Sequence, residues 1–353
     1  MRKSYTLRII RIAFLALLAP VSTVMAGNPD RAGQAGATEL LINPWARSTG
    51  WNGANCGMVQ GLEAQFLNVA GTAHTLKTEV VFSHTNYLQG SGITLNAAGI
   101  TQRVSETAVI GLSIVSMDFG DIQITTNDLP EPVLGTYSPQ YINIGLSYAK
   151  AFSNSIYGGV NFKIIDEKIS NVGAQGIAID AGIQYKTGSN EAKDNVKFGI
   201  ALKNIGTPLK FGGDGLSTRS TTTTGYQLTL EQRAAGFEIP SLLNIGASYD
   251  FDLMKDHRLT LAGSFTSNSF SKDQFTGGLE YSFREMFMVR GGYTYEDDIT
   301  DDNLRTTVYT GLSAGLTIEV PLGKSGKKIG IDYSYRATDP FDGVHSFGGK
   351  FTL

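Results

Sequence analysis

The 353-residue chain is short of cysteine, histidine and charge, and each scarcity excludes a class of protein. Its single Cys, Cys56, rules out an intrachain disulfide framework and any zinc site built from several thiolates. The four His residues, His74, His84, His257 and His345, are scattered, and no pair has a metal-ligand spacing such as HExxH. Charged residues make up 17%, against about 25% in an average soluble domain. No apolar run after Ala26 is long enough for a membrane helix, and a mean hydropathy of -0.06 does not fit a bundle of such helices. What is abundant is Gly, with 42 residues, and aromatics, with 18 Phe and 15 Tyr. A 41% hydrophobic content also argues against disorder.

Residues 1–26 read as a secretory signal. Arg2, Lys3, Arg8 and Arg11 give a basic start without an acid, Ile12 to Pro20 is a short apolar run, and Val24, Met25 and Ala26 offer small residues for cleavage. Loss of the four cations moves the formal charge from -3 to -7, which gives no support for nucleic-acid binding. Cys56 lies too far from the cleavage point to be a lipoprotein cysteine.

Beyond residue 79 the pattern has a period of two. In YINIGLSYA, Ile142, Ile144, Leu146 and Tyr148 alternate with Tyr141, Asn143, Gly145 and Ser147. Val196, Phe198, Ile200 and Leu202 repeat the pattern, as do Ile329, Ile331, Tyr333 and Tyr335. Successive strand side chains point to opposite faces, so each segment has one apolar and one polar face. The predicted strands are 79–88, 91–104, 106–120, 138–151, 154–166, 175–187, 194–206, 239–251, 257–268, 272–284, 286–297, 306–320, 327–337 and 344–353. Their number is 14, even as in closed bacterial barrels, and their lengths suit tilted strands crossing a bilayer. Joints after even strands are mostly tight, whereas 121–137, 207–238, 298–305 and 338–343, after odd strands, are longer. Outer-membrane barrels place short turns in the periplasm and long loops outside. The expected fold is therefore all-β, a 14-stranded antiparallel transmembrane β-barrel over 79–353.

Charge placement agrees. Lys163, Asp180, Lys197, Lys203, Glu280, Arg290, Glu319, Asp332, Arg336 and Lys350 all lie opposite the apolar stripe of their strand. On lipid such a charge would cost about 2–4 kcal/mol near the midplane, so these residues are expected to line the lumen. A soluble sandwich needs neither strands of this number and length nor aromatic ends such as Tyr249 with Phe251, or Tyr293 with Tyr295. The last strand, with Phe347, Gly349, Phe351 and Leu353 in one phase, fits the aromatic-rich ending that outer-membrane insertion machinery recognises.

Residues 27–78 precede the ladder, hold Trp45 and Trp51, and suggest a short helix near 37–42 followed by irregular turns. They are too apolar for a disordered arm and are expected to fold into the periplasmic mouth as a plug or hatch, with Trp45, Arg47, Trp51 and Asn68 as candidate hatch residues.

ATELLINPWAR, the Gly/Ala-rich stretch after it and QFLNVAGTA resemble the opening of the PorV/PorQ family of outer-membrane proteins. Asn68–Val69–Ala70–Gly71 stands where that family has an Asn-Pro-Ala-Gly-like element, with Val in place of Pro. YAKAFSNSIYGGVNFKII and DYSYRATDPFDGVHSFGG are similar to the same family. The resemblance implies a FadL-type 14-stranded barrel with an N-terminal hatch. It also implies a Bacteroidota-like Gram-negative outer membrane and an accessory role in type IX protein secretion, with a translocon and cargo C-terminal domains as partners.

Chemistry is sparse. GLSAG at 311–315 matches Gly-x-Ser-x-Gly, but Ser313 falls in mid-strand, where a nucleophile elbow needs a strand-turn-helix. No catalytic residue, metal ligand or cofactor site is expected. The acidic run Glu296, Asp297, Asp298, Asp301 and Asp302 reads as a solvated outer loop that could also hold calcium. Loop 207–238 is the largest candidate recognition surface, with Phe211, Asp214, Arg219 and Tyr226 as candidate contacts, and its Gly and Thr content fits plain mobility equally well. Three readings follow: an accessory of protein secretion, a hatch-gated channel for hydrophobic small molecules, and a structural subunit of another assembly, each embedded in outer-membrane lipid. The many charges on the lumen phase count against the channel.

Overall fold

A computed structural model describes residues 27–126, 134–187, 196–323 and 326–353. The signal segment, 1–26, lies outside them. Fourteen strands close into one antiparallel barrel in which each pairs with its sequence neighbours, and the last pairs with the first. They are β1 (Thr78–Tyr87), β2 (Ile93–Arg103), β3 (Ala108–Asp118), β4 (Gln140–Ala151), β5 (Ile156–Ile169), β6 (Val172–Lys186) and β7 (Val196–Gly206). The second half comprises β8 (Leu242–Met254), β9 (His257–Asn268), β10 (Gln274–Phe283), β11 (Phe287–Glu296), β12 (Tyr309–Pro321), β13 (Lys328–Thr338) and β14 (Val344–Thr352). The strand count and the alternation agree with the sequence reading, because period two fixes which residues share a face and closure leaves no edge to protect.

The outer face is apolar. Ile183 is 59% exposed, Leu312 58% and Ile331 66%, and their neighbours on the same phase, such as Phe162, Ile177 and Ile200, are also exposed. Such a belt is tolerable only against hydrocarbon, and the chain is a transmembrane barrel of the outer-membrane type. Aromatic pairs mark the turn end, with Tyr249 against Phe251 at 4.5 Å between ring centroids and His257 against Phe283 at 4.9 Å. Tyr333 against Phe347, 5.2 Å, lies nearer the loop end.

Two further ladders stand above the loop end between β7 and β8. Leu209–Lys210 pairs with Gly236–Phe237, and Ser217–Thr221 pairs with Gln227–Glu231 as a hairpin. The first folds inward: Phe211 stacks on Phe237 at 5.5 Å and packs against the apolar core inside the barrel mouth. Phe211 is half-buried against that core, whereas Asp214, Arg219 and Tyr226 are exposed.

Residues 29–74 run through the lumen as short helical turns: Pro29–Arg31, Thr38–Leu41, Ala46–Gly50, Ala54–Gly57, Ala64–Leu67 and Val69–His74. The sequence reading expects a plug or hatch in the periplasmic mouth; the turns fill the barrel over more of its height. The segment begins at the loop end, where Asn28 N donates to Asn268 O and Gly36 N donates to Glu238 O, and it descends to β1 at the turn end. None of these turns is long enough to be stable alone; each is held by the wall around it.

Candidate functional site

The lumen is divided. On the β1–β6 side toward the loops, inward Leu95, Ala97, Val115, Met117, Tyr141 and Ile165 pack against Leu40, Trp45 and Leu62 of the luminal segment. Tyr141 is 2% exposed and faces this inner core. Alternation assigns Tyr141 to the polar phase, and only the plug packed across from it makes that phase apolar.

Charges gather on the opposite half, toward the turns. Lys197 Nζ lies 2.7 Å from Asp250 Oδ2, and Arg258 bridges Asp250 (3.7 Å), Glu280 (3.3 Å) and Glu285 (2.8 Å). Arg290 Nε donates to Glu280 Oε2 at 2.8 Å, Arg290 Nη2 to Thr317 Oγ1 at 2.6 Å, and Thr317 in turn to Asp332. Glu319 meets Lys328 at 2.9 Å, Arg47 of the luminal segment at 3.3 Å and Lys350 at 3.7 Å, and Lys350 approaches Glu79 at 3.8 Å. Arg47 therefore ties the segment to a belt of alternating charge running from β7 round to β1. Lys163 and Asp180 form a separate pair at 2.6 Å, both almost fully buried. The ten lumen candidates all face inward, and the structure brings Lys197, Glu280, Arg290, Glu319, Asp332 and Lys350 into this one belt. Asp250 and Arg258 complete it and were missed, although Asp250 stands between Tyr249 and Phe251 and Arg258 shares the phase of Thr260, opposite Leu259 and Leu261.

Polar contacts fasten the segment elsewhere. Glu63 Oε2 accepts from Ser48 N (3.0 Å) and Ser48 Oγ (2.6 Å), and Glu79 Oε1 accepts from Leu62 N at 2.8 Å. Asn68 caps the turn after it through Ala70 N (3.2 Å), and its amide donates to Cys56 O (3.3 Å) and to Ile183 O on β6 (3.1 Å). One Asn thus satisfies two turns and the wall. Asn52 Nδ2 donates to Thr294 Oγ1 (2.7 Å) and to Gly311 O (2.9 Å), the glycine carrying φ +95° at an irregularity of β12. Arg103 clamps the exit into β1 by donating to Ala73 O, Thr75 O and Leu76 O at 2.6–3.1 Å. Nothing in its strand pattern announced that role. Trp45 and Trp51 are both buried. Ser313 Oγ donates to Gly50 O at 3.1 Å, a fastening bond that leaves it no base and no elbow.

Glycine lets the segment approach the wall backbone to backbone. A Cβ at Gly246 would come within 2.8 Å of Gly57 N and 3.1 Å of Cys56 Cβ. Cys56 is fully buried, and burial pushes its thiol up to about 12, so at neutral pH it is both shielded and protonated. Gly246→Val is therefore expected to push the Ala54–Gly57 turn off the wall and make Cys56 react with a maleimide that leaves the parent chain unlabelled. Mass spectrometry of the labelled chain reads the result. Absence of labelling would mean that β8 yields instead.

Between the segment and the wall at the loop end lies a cavity of about 470 Å3. Leu41, Ile42, Phe66 and Leu67 of the segment form its apolar side, joined by Tyr87, Leu242, Phe270 and Tyr309. Asn244, Thr266, Asn268, Gln274, Thr276 and Glu296 give the β8–β11 wall amides, hydroxyls and one carboxylate. Lys203 and Arg336 also line it, apart from the belt. The volume falls in the range of small-molecule sites, roughly 300–1,000 Å3. Among the described residues no group of three or more His, Cys, Asp or Glu could hold a metal ion, the outer acidic loop included. In that loop Asp298 pairs with Lys272, and Asp302 with Arg305.

No family model matches the sequence, and no curated protein matches it. Among solved structures the chain is similar to the Pseudomonas putida toluene transporter TodX, at 10% identity and a TM-score of 0.49, over 82% of this chain and 92% of that one. It is also similar to a Pseudomonas aeruginosa FadL homologue, at 11% identity and a TM-score of 0.47, over 88% and 97% of the two chains. A triple mutant of the Rhodopseudomonas blastica porin matches at 12% identity and a TM-score of 0.32, over 78% and 98%. At these identities the likeness concerns the fold.

Proposed function

We propose that this chain is an outer-membrane conduit for hydrophobic or amphipathic small molecules, closed by its luminal segment acting as a hatch. The observation that carries the reading is the half-apolar cavity of about 470 Å3 at the loop end, roofed by loops and floored by the hatch. Eight of the ten charges that weighed against a channel in the sequence are gathered in the belt at the turn end and in the Lys163–Asp180 pair, while Lys203 and Arg336 line the cavity itself. A molecule entering from outside meets Leu41, Ile42, Phe66 and Tyr309 before any charged belt. Passage further requires the hatch to shift, and its many single hydrogen bonds to the wall, rather than one continuous sheet, suit reversible movement. The role comes from the residues of the cavity and hatch, not from the barrel, since one fold carries many functions.

The resemblance to PorV/PorQ proteins supports a second reading, an accessory of type IX secretion that docks a translocon or cargo. The hairpin Ser217–Glu231, with Tyr226 72% exposed and Leu228 and Leu230 beside it, is the surface that favours it. Proteoliposomes separate the two. The conduit reading expects labelled decanoate to enter vesicles carrying the chain several-fold faster than empty vesicles, while glucose does not. An Asn244→Trp change that fills the cavity should abolish the difference. Equal entry with and without the chain, together with recovery of a large translocon on the tagged chain from membranes, would sink the conduit reading.

A further inference from the structure

Of the six cations among the ten lumen candidates, two stand apart from the other four. Lys163, Lys197, Arg290 and Lys350 each face a carboxylate within 4 Å. Lys203 and Arg336 have none that close among the described residues; Asp180, held by Lys163, acts on Lys203 only from farther off. Lys203 is 3% exposed, and its Nζ sits 3.7 Å from the centroid of the Phe66 ring. The Arg336 guanidinium lies 3.6 Å from the Tyr309 ring centroid, and its buried Nε has no hydrogen-bond partner. An aromatic face recovers only part of the hydration such a group loses on burial, so both heads are left short of an anion. Both line the loop-end cavity.

Their places on the barrel decide what could satisfy them. Lys203 is on β7 and Arg336 on β13, six strands apart in a ring of fourteen, which puts them on nearly opposite walls. A barrel of this strand number is roughly 25 Å across, so no single small anion reaches both. Between them the hatch presents Leu41, Ile42 and Phe66, an apolar floor that favours a hydrocarbon spacer. One carboxylate, Glu296, lines the cavity, and its two oxygens are already held by Gln274 Nε2 (2.7 Å) and Thr306 Oγ1 (2.9 Å) on the β10–β11 wall side.

We propose that the loop-end cavity binds an elongated aliphatic dianion, a medium-chain α,ω-dicarboxylate, with one carboxylate on Lys203, the other on Arg336 and the chain lying across the hatch. This rests on the conduit reading and narrows its substrate class. Each carboxylate would supply the charge-assisted hydrogen bonds that these two cations lack.

Calorimetric titration of the full chain in lipid nanodiscs with dodecanedioate, dodecanoate and 1-dodecanol tests it. Dodecanedioate is expected to bind about tenfold or more tighter than dodecanoate once partition into empty nanodiscs is subtracted. Lys203→Gln and Arg336→Gln should each weaken dodecanedioate by about tenfold, while Lys203→Arg and Arg336→Lys retain it. The proposal is overturned if dodecanoate binds as tightly as the diacid, or if only one of the two cations matters for the diacid. In either case the conduit reading stands. Binding of none of the three probes would count against both. The comparison of diacid with monoacid on the unaltered chain needs no variant, so a misfolded mutant does not blunt it.

Discussion

Replacing Lys163 by Met should lower the unfolding free energy by about 3–5 kcal/mol. Lys163 on β5 and Asp180 on β6 face each other at 2.6 Å, with side chains 4% and 3% exposed. Asp180 also accepts from Asn204 N at 2.7 Å and from Asn161 Nδ2 at 3.3 Å, while Lys163 Nζ donates to Asn204 Oδ1 at 2.8 Å. Without the ammonium, a carboxylate stays in a water-poor wall with two neutral donors, and that stranded charge dominates the cost. Adding Asp180→Asn to Lys163→Met removes the charge and keeps an acceptor for Asn204 N. The double variant is therefore expected to regain more than half of the loss. Urea titration in lipid vesicles, with the folded fraction read from heat-dependent electrophoretic mobility, measures both. A neutral Lys163→Met would show that water reaches the pair, and a double variant worse than the single would show that the pair itself, not the orphaned charge, carries the stability.

Deleting residues 27–74 should convert a barrel with almost no steady conductance into an open pore, raising current through planar bilayers by at least about tenfold. Eight strands leave an interior that side chains fill, and 16–18 leave an aqueous channel; at fourteen the wall cannot close on itself. What fills the space is the segment itself: Trp45, Leu62 and Ala70 are essentially inaccessible, and Arg47 inserts into the belt at Glu319. The belt should hold the wall without it, because Lys197–Asp250, Arg258–Glu280, Arg290–Glu280 and Lys350–Glu319 are contacts among strands alone. A truncated chain that inserts, shows the folded mobility and still carries no current would place the seal in the loops above the mouth instead.

Much of this architecture was legible in the residues. Alternation separates Ile142, Ile144 and Leu146 from their polar neighbours without reference to anything distant, and the parity of loop lengths orients the barrel. The same alternation put all ten candidate charges on the inner face. Pairing was not legible. Lys163 and Lys203 obey the same rule and look alike in sequence, yet one meets Asp180 at 2.6 Å and the other stacks on the Phe66 ring with no carboxylate within 4 Å among the described residues. Register does not tell them apart either. Asp180 lies opposite Asn161 across β5 and β6 and, at the β6–β7 bulge, between the partners of Leu202 and Ile205. Both lysines thus neighbour its strand position, and only the side-chain packing around the hatch decides which one reaches it. Phe211, read as a loop contact, lies half-buried against the core because its loop turns back toward the hatch, and Arg103 grips three carbonyls of a segment about thirty residues earlier. Glycines such as Gly246, unremarkable in a strand pattern, prove to be where the hatch lies against the wall.

The sequence by itself determined the strands, their faces, their count and the membrane they cross, since each follows from side-chain period and transfer cost, which are local quantities. Tertiary structure alone decided the path of the luminal segment, the division of the lumen into an apolar mouth and a charged floor, and the two cations left without a carboxylate. Those depend on which strand stands beside which after closure and on what fills the barrel, and no periodicity along a chain encodes the contents of the space it encloses.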